Sequence, residues 1–170
     1  AYASRETMSA EGEFKTLVKE LHKAGIECIP EMYFTGKELP GEILSVLRYW
    51  VEEYHVDGFH LTGFPDLSLA AEDPFLKRTK LFAENWNEVM NRRPKQGYVT
   101  PGDGAVSVEE KNLAEYNMQF MEDMRRFLKG DEGMLSAFEF RNRRNPAEYA
   151  VIDYMANTNG FTLMDTVSYD

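Results

Sequence analysis

The chain has 170 residues, of which 43% are hydrophobic and 28% charged, and its formal net charge is −10. This length suits one domain with a hydrophobic core, and we treat residues 1–170 as a single domain. Proteins that bind nucleic acids or anionic membranes need clustered cationic side chains, so the charge argues against both classes. No apolar run approaches the roughly 20 residues of a membrane span, and residues 1–5 lack the apolar core of a signal peptide.

Cysteine and histidine, the usual zinc ligands, are sparse. The single cysteine, Cys28, lies in an apolar stretch and cannot form an internal disulfide, which fits a reducing compartment such as the cytoplasm. The histidines, His22, His55 and His60, lack the H-E-x-x-H spacing of zinc enzymes. Glycine-rich motifs for phosphates or dinucleotides are also missing. We therefore expect no cofactor and no metal site built from these residues, and the sequence alone does not say whether calcium is bound.

Helices and strands alternate in the first third of the chain. Apolar residues at helical spacing predict helices from about Glu11 to Ala24 and from about Gly41 to Tyr54. A short apolar run, Ile26 to Met32, predicts a buried strand that Pro30 distorts near its end. His55 to Leu61 is typical of a turn followed by a strand. This alternation indicates an α/β fold with parallel strands.

The alternation continues less regularly in the rest of the chain. Glycines and prolines predict a loop over Gln96 to Ser107, and the apolar spacing after it predicts one long helix from about Val108 to Leu128. The other predicted elements are a loop or one short helix over Gly63 to Asp73, a strand over Thr79 to Ala83, a short helix over Leu135 to Phe140, a strand over Val151 to Ala156 and a last short helix over Gly160 to Tyr169.

Five segments resemble, in the same order, segments of isoamylases, pullulanases and glycogen-debranching enzymes of the α-amylase superfamily. They are residues 13–27, 47–59, 80–87, 125–131 and 160–169, and they include Asp57-Gly58-Phe59 and Lys80-Leu81-Phe82-Ala83-Glu84-Asn85-Trp86-Asn87. The resemblance implies a (β/α)8 TIM barrel, of which this chain would hold about strands three to seven. A full barrel typically needs about 250 residues, so the barrel in this chain would be incomplete.

The resemblance also implies where the catalytic groups of this family would lie. Retaining glycosidases use two carboxyl groups, a nucleophile and a general acid. The family's strand-four motif D-G-F-R-F-D corresponds to residues 57–62, which puts Thr62 at the nucleophile and His60 at its supporting arginine. Glu84 keeps the general acid. A threonine hydroxyl needs an adjacent base before it can attack, so the ancestral mechanism is interrupted at Thr62.

Further family positions are also replaced. Thr158 and Asn159 take the place of the His-Asp pair whose carboxylate stabilises the transition state, and asparagine carries no charge for that task. The strand-three motif D-V-V-Y-N-H corresponds to residues 31–36, where Glu31 keeps the acidic position but the Asn and His are lost. The loops after Gly36 and Thr62 are shorter than in the family. Losing members of such a catalytic unit costs on the order of 10⁴ to 10⁶ in rate.

We therefore expect a non-catalytic domain that binds α-glucan or a maltooligosaccharide, or that associates with other domains or with an active homologue. An active glycosidase, in which Glu84 pairs with Glu31 or Asp66, is one alternative. A structural domain of a larger glucan-acting protein is another. The residues expected to contact sugar are Glu31, Tyr33, Phe34, His60, Trp86, Tyr98 and Thr158.

Overall fold

A computed structural model of the chain describes residues 10–84, 86, 112–144, 146, 149–157 and 163–168. Five strands form one parallel sheet in the order β1-β2-β3-β4-β5, which confirms the α/β prediction. The strands are β1 (Glu31–Phe34), β2 (Gly58–Gly63), β3 (Lys80–Ala83), β4 (Leu113–Tyr116) and β5 (Ala150–Ile152). The helices are α1 (Ala10–Lys23), α2 (Pro40–Tyr54), α3 (Met118–Lys129), α4 (Met134–Asn142) and α5 (Leu163–Ser168).

Helices α1 and α2 form where the apolar spacing predicts them. Helix α2 begins at Pro40, whose fixed φ suits the first helical turn, and the Glu42 carboxylate accepts the Leu39 N–H at 2.8 Å. The Phe14 ring of α1 meets the rings of Trp50 and Tyr54 edge-on, each at 5.4 Å between centroids. These aromatic contacts hold α1 against α2.

The long helix predicted over Val108 to Leu128 is wrong in its first part. Residues Leu113–Tyr116 form β4, which pairs with β3 on one side and β5 on the other. The helix begins only at Met118, after Asn117, whose side-chain oxygen accepts the Phe120 N–H at 3.1 Å. Four residues are too few to separate a strand from the turn of an adjoining amphipathic helix by spacing alone.

Other boundaries shift by a few residues. The predicted strand over Ile26 to Met32 is observed as Glu31–Phe34, directly after Pro30, which has no N–H to donate. The segment from Gly63 to Asp73 contains one 3-10 turn, Ala70–Glu72. The predicted loop over residues 96–107 lies outside the described residues. Within the described ranges, no helix is long and apolar enough to cross a membrane.

The sheet has two chemically different faces. Side chains alternate between the faces along each strand, and one set packs under the helices as the hydrophobic core. Its central members are at most 1% exposed: Phe59, Leu61, Leu81 and Ala83. The opposite face carries polar and aromatic side chains, among them Glu31, His60, Thr62 and Tyr116.

A buried carboxylate fixes the segment between β2 and β3. Asp73, with a side chain only 2% exposed, forms an ion pair with Arg48 of α2 and accepts the backbone N–H groups of Phe75 (2.7 Å) and Leu76 (3.3 Å). Burial by itself would raise the pKa of Asp73, but Arg48 and the two N–H groups outweigh it and hold the pKa below its usual value.

We expect Asp73→Asn to lower the free energy of unfolding by about 2 kcal/mol at pH 7, because charge-assisted hydrogen bonds weaken. The folded pKa is the depressed one, so the stabilisation is present above the unfolded pKa of about 3.9 and is lost as pH falls through the folded pKa. Urea unfolding of wild type and variant at pH 7 and pH 3 checks this. An equal difference at both pH values would contradict it.

Candidate functional site

Two predicted catalytic positions lie side by side on the polar face of the sheet. The register pairs Tyr33 with Thr62 and Leu61 with Ala83, and extending the β2–β3 register by one residue beyond its last pair places Thr62 next to Glu84. Side chains at paired positions of parallel strands point to the same face. Tyr33, Thr62 and Glu84 therefore form one row near the carboxyl ends of three strands, where barrel enzymes build their sites.

A second row lies one layer nearer the amino ends of the strands. Glu31 pairs in register with His60, and a Glu31 carboxylate oxygen lies 3.2 Å from His60 Nδ1. The His60 ring lies 4.3 Å from the ring of Tyr116, which in turn lies 4.4 Å from that of Tyr154. These four side chains form a continuous polar and aromatic chain across the face.

The His60 and Tyr116 rings converge across the strand that separates them, and we call this face of the sheet the concave face. The two residues lie on β2 and β4, which β3 separates, and Tyr116 is two residues beyond the register position of His60, so a flat sheet would hold their Cα atoms about 12 Å apart. Their ring centroids approach within 4.3 Å. The side chains therefore converge, as they do on the inner face of a curved sheet.

Two polar atoms on the concave face are buried without a hydrogen-bond partner among the residues that the structure describes. They are His60 Nε2 and the Tyr154 hydroxyl. Burial, together with the negative charge of Glu84 and the neighbouring Tyr116, raises the pKa of Tyr154 to about 12. The Tyr154 phenol therefore keeps its proton at neutral pH and remains a hydrogen-bond donor.

Thr62 has no general base bonded to its hydroxyl in the described part of the chain. Its Oγ1 lies 3.4 Å from the Met32 carbonyl oxygen, to which it donates. The nearest acidic position in register is Glu84, which is exposed. Asp66, one of the carboxylates considered for a new pair, accepts the Ser68 N–H at 3.1 Å within its own turn.

Two residues expected to line the cleft are instead in the core. Phe34 is 7% exposed and Trp86 is fully buried, with its indole N–H donating to the Leu81 carbonyl oxygen at 3.2 Å. Phe34 points to the helix side because it follows Tyr33, which faces the concave side and is 67% exposed. Neither buried ring can stack on a sugar. Tyr98, Thr158 and Asn159 lie outside the described residues.

Sequence reasoning missed Tyr116 and Tyr154. Tyr116 was missed because its segment was predicted to be helical, and side chains alternate between two faces only in a strand. Tyr154 lies in a segment predicted as a strand, but nothing in that segment showed that it would meet Tyr116. Among the described residues, no group of three or more histidine, cysteine, aspartate or glutamate side chains is arranged to hold a metal ion.

Curated proteins similar to this chain are isoamylases, glycogen debranching enzymes and GlgX homologues. The chain is 29% identical to "Isoamylase 3, chloroplastic" of Oryza sativa subsp. japonica, over 100% of the chain and 29% of that protein. It is 28% identical to "Glycogen debranching enzyme" of Serratia proteamaculans, over 99% of the chain and 34% of that protein. It is 28% identical to "Glycogen operon protein GlgX homolog" of Mycobacterium tuberculosis, over 99% of the chain and 32% of that protein.

The chain is short relative to these proteins. It spans about a third of their length. The alignment with the rice protein covers 249 positions, more than the 170 residues of the chain, so the rice protein carries inserted segments within the matched region. No family model matches the chain, and no solved structure matches it.

These relatives are proteins of the type that the five motif segments resemble. Similarity extends over the whole chain in each of these three proteins, which are named as isoamylase, debranching enzyme or GlgX homologue. The chain is thus a sequence relative of the isoamylase and glycogen-debranching type of glycoside hydrolases.

Proposed function

We propose that this chain is a non-catalytic α-glucan-binding domain of a degenerate debranching-type barrel. The observation that carries the proposal is the row in which Thr62, at the nucleophile position, stands beside Glu84, at the general-acid position. A retaining glycosidase needs two carboxyl groups about 5 Å apart, and this pair of neighbours has one. The second part of the proposal, glucan binding, follows from the chemistry of the concave face.

In this proposal the five strands correspond to strands three to seven of a (β/α)8 barrel. Support comes from the sequential strand order, from the helices packed on one face and from the curvature that brings His60 to Tyr116. The concave face would then be the barrel interior. Side chains that point inward fill the interior of such a barrel in layers.

The polar groups of the concave face suit a neutral, hydroxyl-rich ligand. Glu84 offers carboxylate oxygens that accept sugar hydroxyl protons, and the protonated Tyr154 phenol offers a donor. His60 Nε2 is a further buried polar atom that a ligand could pair. A polyanion would be repelled by Glu31 and Glu84 and by the net charge of −10.

An active glycosidase is the second candidate, because Glu31 and Glu84 occupy the same face. On a flat sheet, two strand spacings and two residues along the strand separate their Cα atoms by about 12 Å. Inverting enzymes hold their carboxyl groups about 6.5–9.5 Å apart, a range that two glutamate side chains can span. Against this candidate, the Glu31 carboxylate already pairs with His60 at 3.2 Å.

Glu84→Gln separates these two functions. In a binding domain, glutamine keeps one acceptor oxygen, so we expect affinity for maltoheptaose to fall less than about tenfold while hydrolysis stays at background in both proteins. In an active enzyme, loss of the acid abolishes turnover at a rate cost of about 10² or more. Reducing-end release from pullulan and glycogen, with Glu72→Gln as the matched exposed-carboxylate control, makes the measurement. Turnover that only Glu84→Gln removes would establish the enzyme and refute the binding domain.

A further inference from the structure

We propose that Tyr33 and Phe64 form an aromatic platform on which one pyranose ring of a neutral glucan stacks. The inference rests on the proposed glucan-binding function. It adds the residues that contact the sugar and names the apolar C–H face of the pyranose as the face that they bind. Tyr33 ends the row Tyr33–Thr62–Glu84, and Phe64 directly follows β2 at the same end of the sheet. Sequence reasoning did not select Phe64.

Both rings are far more exposed than aromatic side chains in a core. Tyr33 is 67% exposed and Phe64 is 74% exposed, whereas Phe59 of β2 and Trp86, which follows β3, are fully buried. Leu39, 65% exposed, is a further apolar side chain in this part of the chain. Exposed apolar surface at the carboxyl ends of parallel strands is placed for ligand contact.

Two glycines allow the rings to lie close to the backbone. A Cβ at Gly63 would come within 2.8 Å of Tyr33 Cε2, and a Cβ at Gly36 would come within 3.0 Å of Phe64 Cβ. Each glycine has a positive φ of 84°, which L side chains rarely adopt. The Phe64 N–H also donates to the Phe34 carbonyl oxygen at 3.0 Å, which ties the two loop segments together. Gly63 therefore lies against the Tyr33 ring, and Gly36 lies against the base of the Phe64 side chain.

The groups beside the platform select a neutral ligand with hydroxyl groups. Thr62 and Glu84 continue the row from Tyr33, so a sugar stacked on the ring has a hydroxyl and a carboxylate along its edge. In the neighbouring turn, Glu38 accepts the Thr35 hydroxyl at 2.9 Å and the Gly36 N–H at 3.0 Å. These carboxylates repel anions and accept hydroxyl protons. A pyranose combines an apolar C–H face with equatorial hydroxyls, and it matches both features.

The test is calorimetric titration of the full chain and its variants with maltoheptaose. We expect Tyr33→Ala and Phe64→Ala each to weaken binding several-fold, and the double variant to weaken it by about tenfold or more. Tyr33→Phe and Phe64→Trp, which keep an aromatic face, should bind within about twofold of wild type. The matched controls are Tyr49→Ala and Phe140→Ala, since these rings are 50% and 66% exposed on helices α2 and α4.

The possible outcomes separate the platform from the proposed function. If wild type binds maltoheptaose and the double variant binds it equally well, the platform is overturned and the proposed binding function stands. Wild type that does not bind would overturn both. Sedimentation of the same proteins tests whether a second copy of the chain covers the platform. If wild type is a dimer, only the double variant is a monomer and sugar affinity is unchanged, the platform is also overturned. Thermal midpoints close to wild type are expected for every variant, because both side chains are exposed.

Discussion

Trp86→Ala is expected to lower the free energy of unfolding by about 3–5 kcal/mol, the cost of emptying a large buried site. The Trp86 side chain is fully buried in the core, and its indole N–H donates to the Leu81 carbonyl oxygen of β3. The substitution removes both the packing and that hydrogen bond. Guanidinium unfolding followed by far-ultraviolet circular dichroism measures the change.

Trp86→Phe and Tyr33→Ala serve as controls for this prediction. Phenylalanine fills much of the site but cannot donate to Leu81, so we expect an intermediate loss of stability. Tyr33 is exposed, and its removal should change stability by less than about 0.5 kcal/mol. If Trp86→Ala instead left stability unchanged and abolished glucan binding, Trp86 would belong to the cleft and the observed core position would be wrong.

Gly63→Ala is expected to cost at least about 3 kcal/mol, because strain and collision add at this position. Gly63 has a φ of 84°, and a Cβ there would lie 2.1 Å from the Phe34 carbonyl oxygen. That oxygen accepts the Phe64 N–H, so the collision also disturbs the turn that carries Phe64. A backbone atom cannot move aside as a flexible side chain can.

Gly25→Ala is the matched control, because it isolates the conformational part of this cost. Gly25 has a φ of 72°, but a Cβ there would meet nothing within 4 Å. We expect it to lose only about 1–2 kcal/mol, the usual penalty of left-handed backbone for an L residue. Equal losses for the two variants in urea unfolding would show that the contact with Phe34 adds nothing.

Local patterns predicted the parts of the fold that depend on one segment alone. Helices α1 and α2 and strand β3 were predicted within about one residue at each end, because their apolar spacing is regular. Strand β4 was not, because Leu113–Tyr116 is short and its burial comes from pairing with β3 and β5. The apolar spacing within one segment therefore cannot predict a strand whose burial depends on partners distant in sequence.

The candidate site, too, was predicted only in part from the sequence. The neighbouring positions of Thr62 and Glu84 follow from strand ends that meet at one edge of a parallel sheet, and the motifs fix those ends. Whether a ring faces the cleft or the core depends on alternation within the strand, and a shift of one residue reverses it. That is why Tyr33 and Phe34 were both expected in the cleft although they point to opposite faces. Trp86 follows β3 rather than lying in it, so alternation could not place its side chain.

Calorimetric titration of the full chain tests the central claim most directly, with maltoheptaose to measure binding and pullulan, which contains α-1,6 bonds, to measure turnover. The proposed function predicts saturable heats that return to baseline after every injection, as binding without hydrolysis requires. A steady displacement of the baseline that scales with protein concentration would reveal continuing hydrolysis. Such a displacement, or the absence of any heat at millimolar maltoheptaose, would contradict a non-catalytic glucan-binding domain.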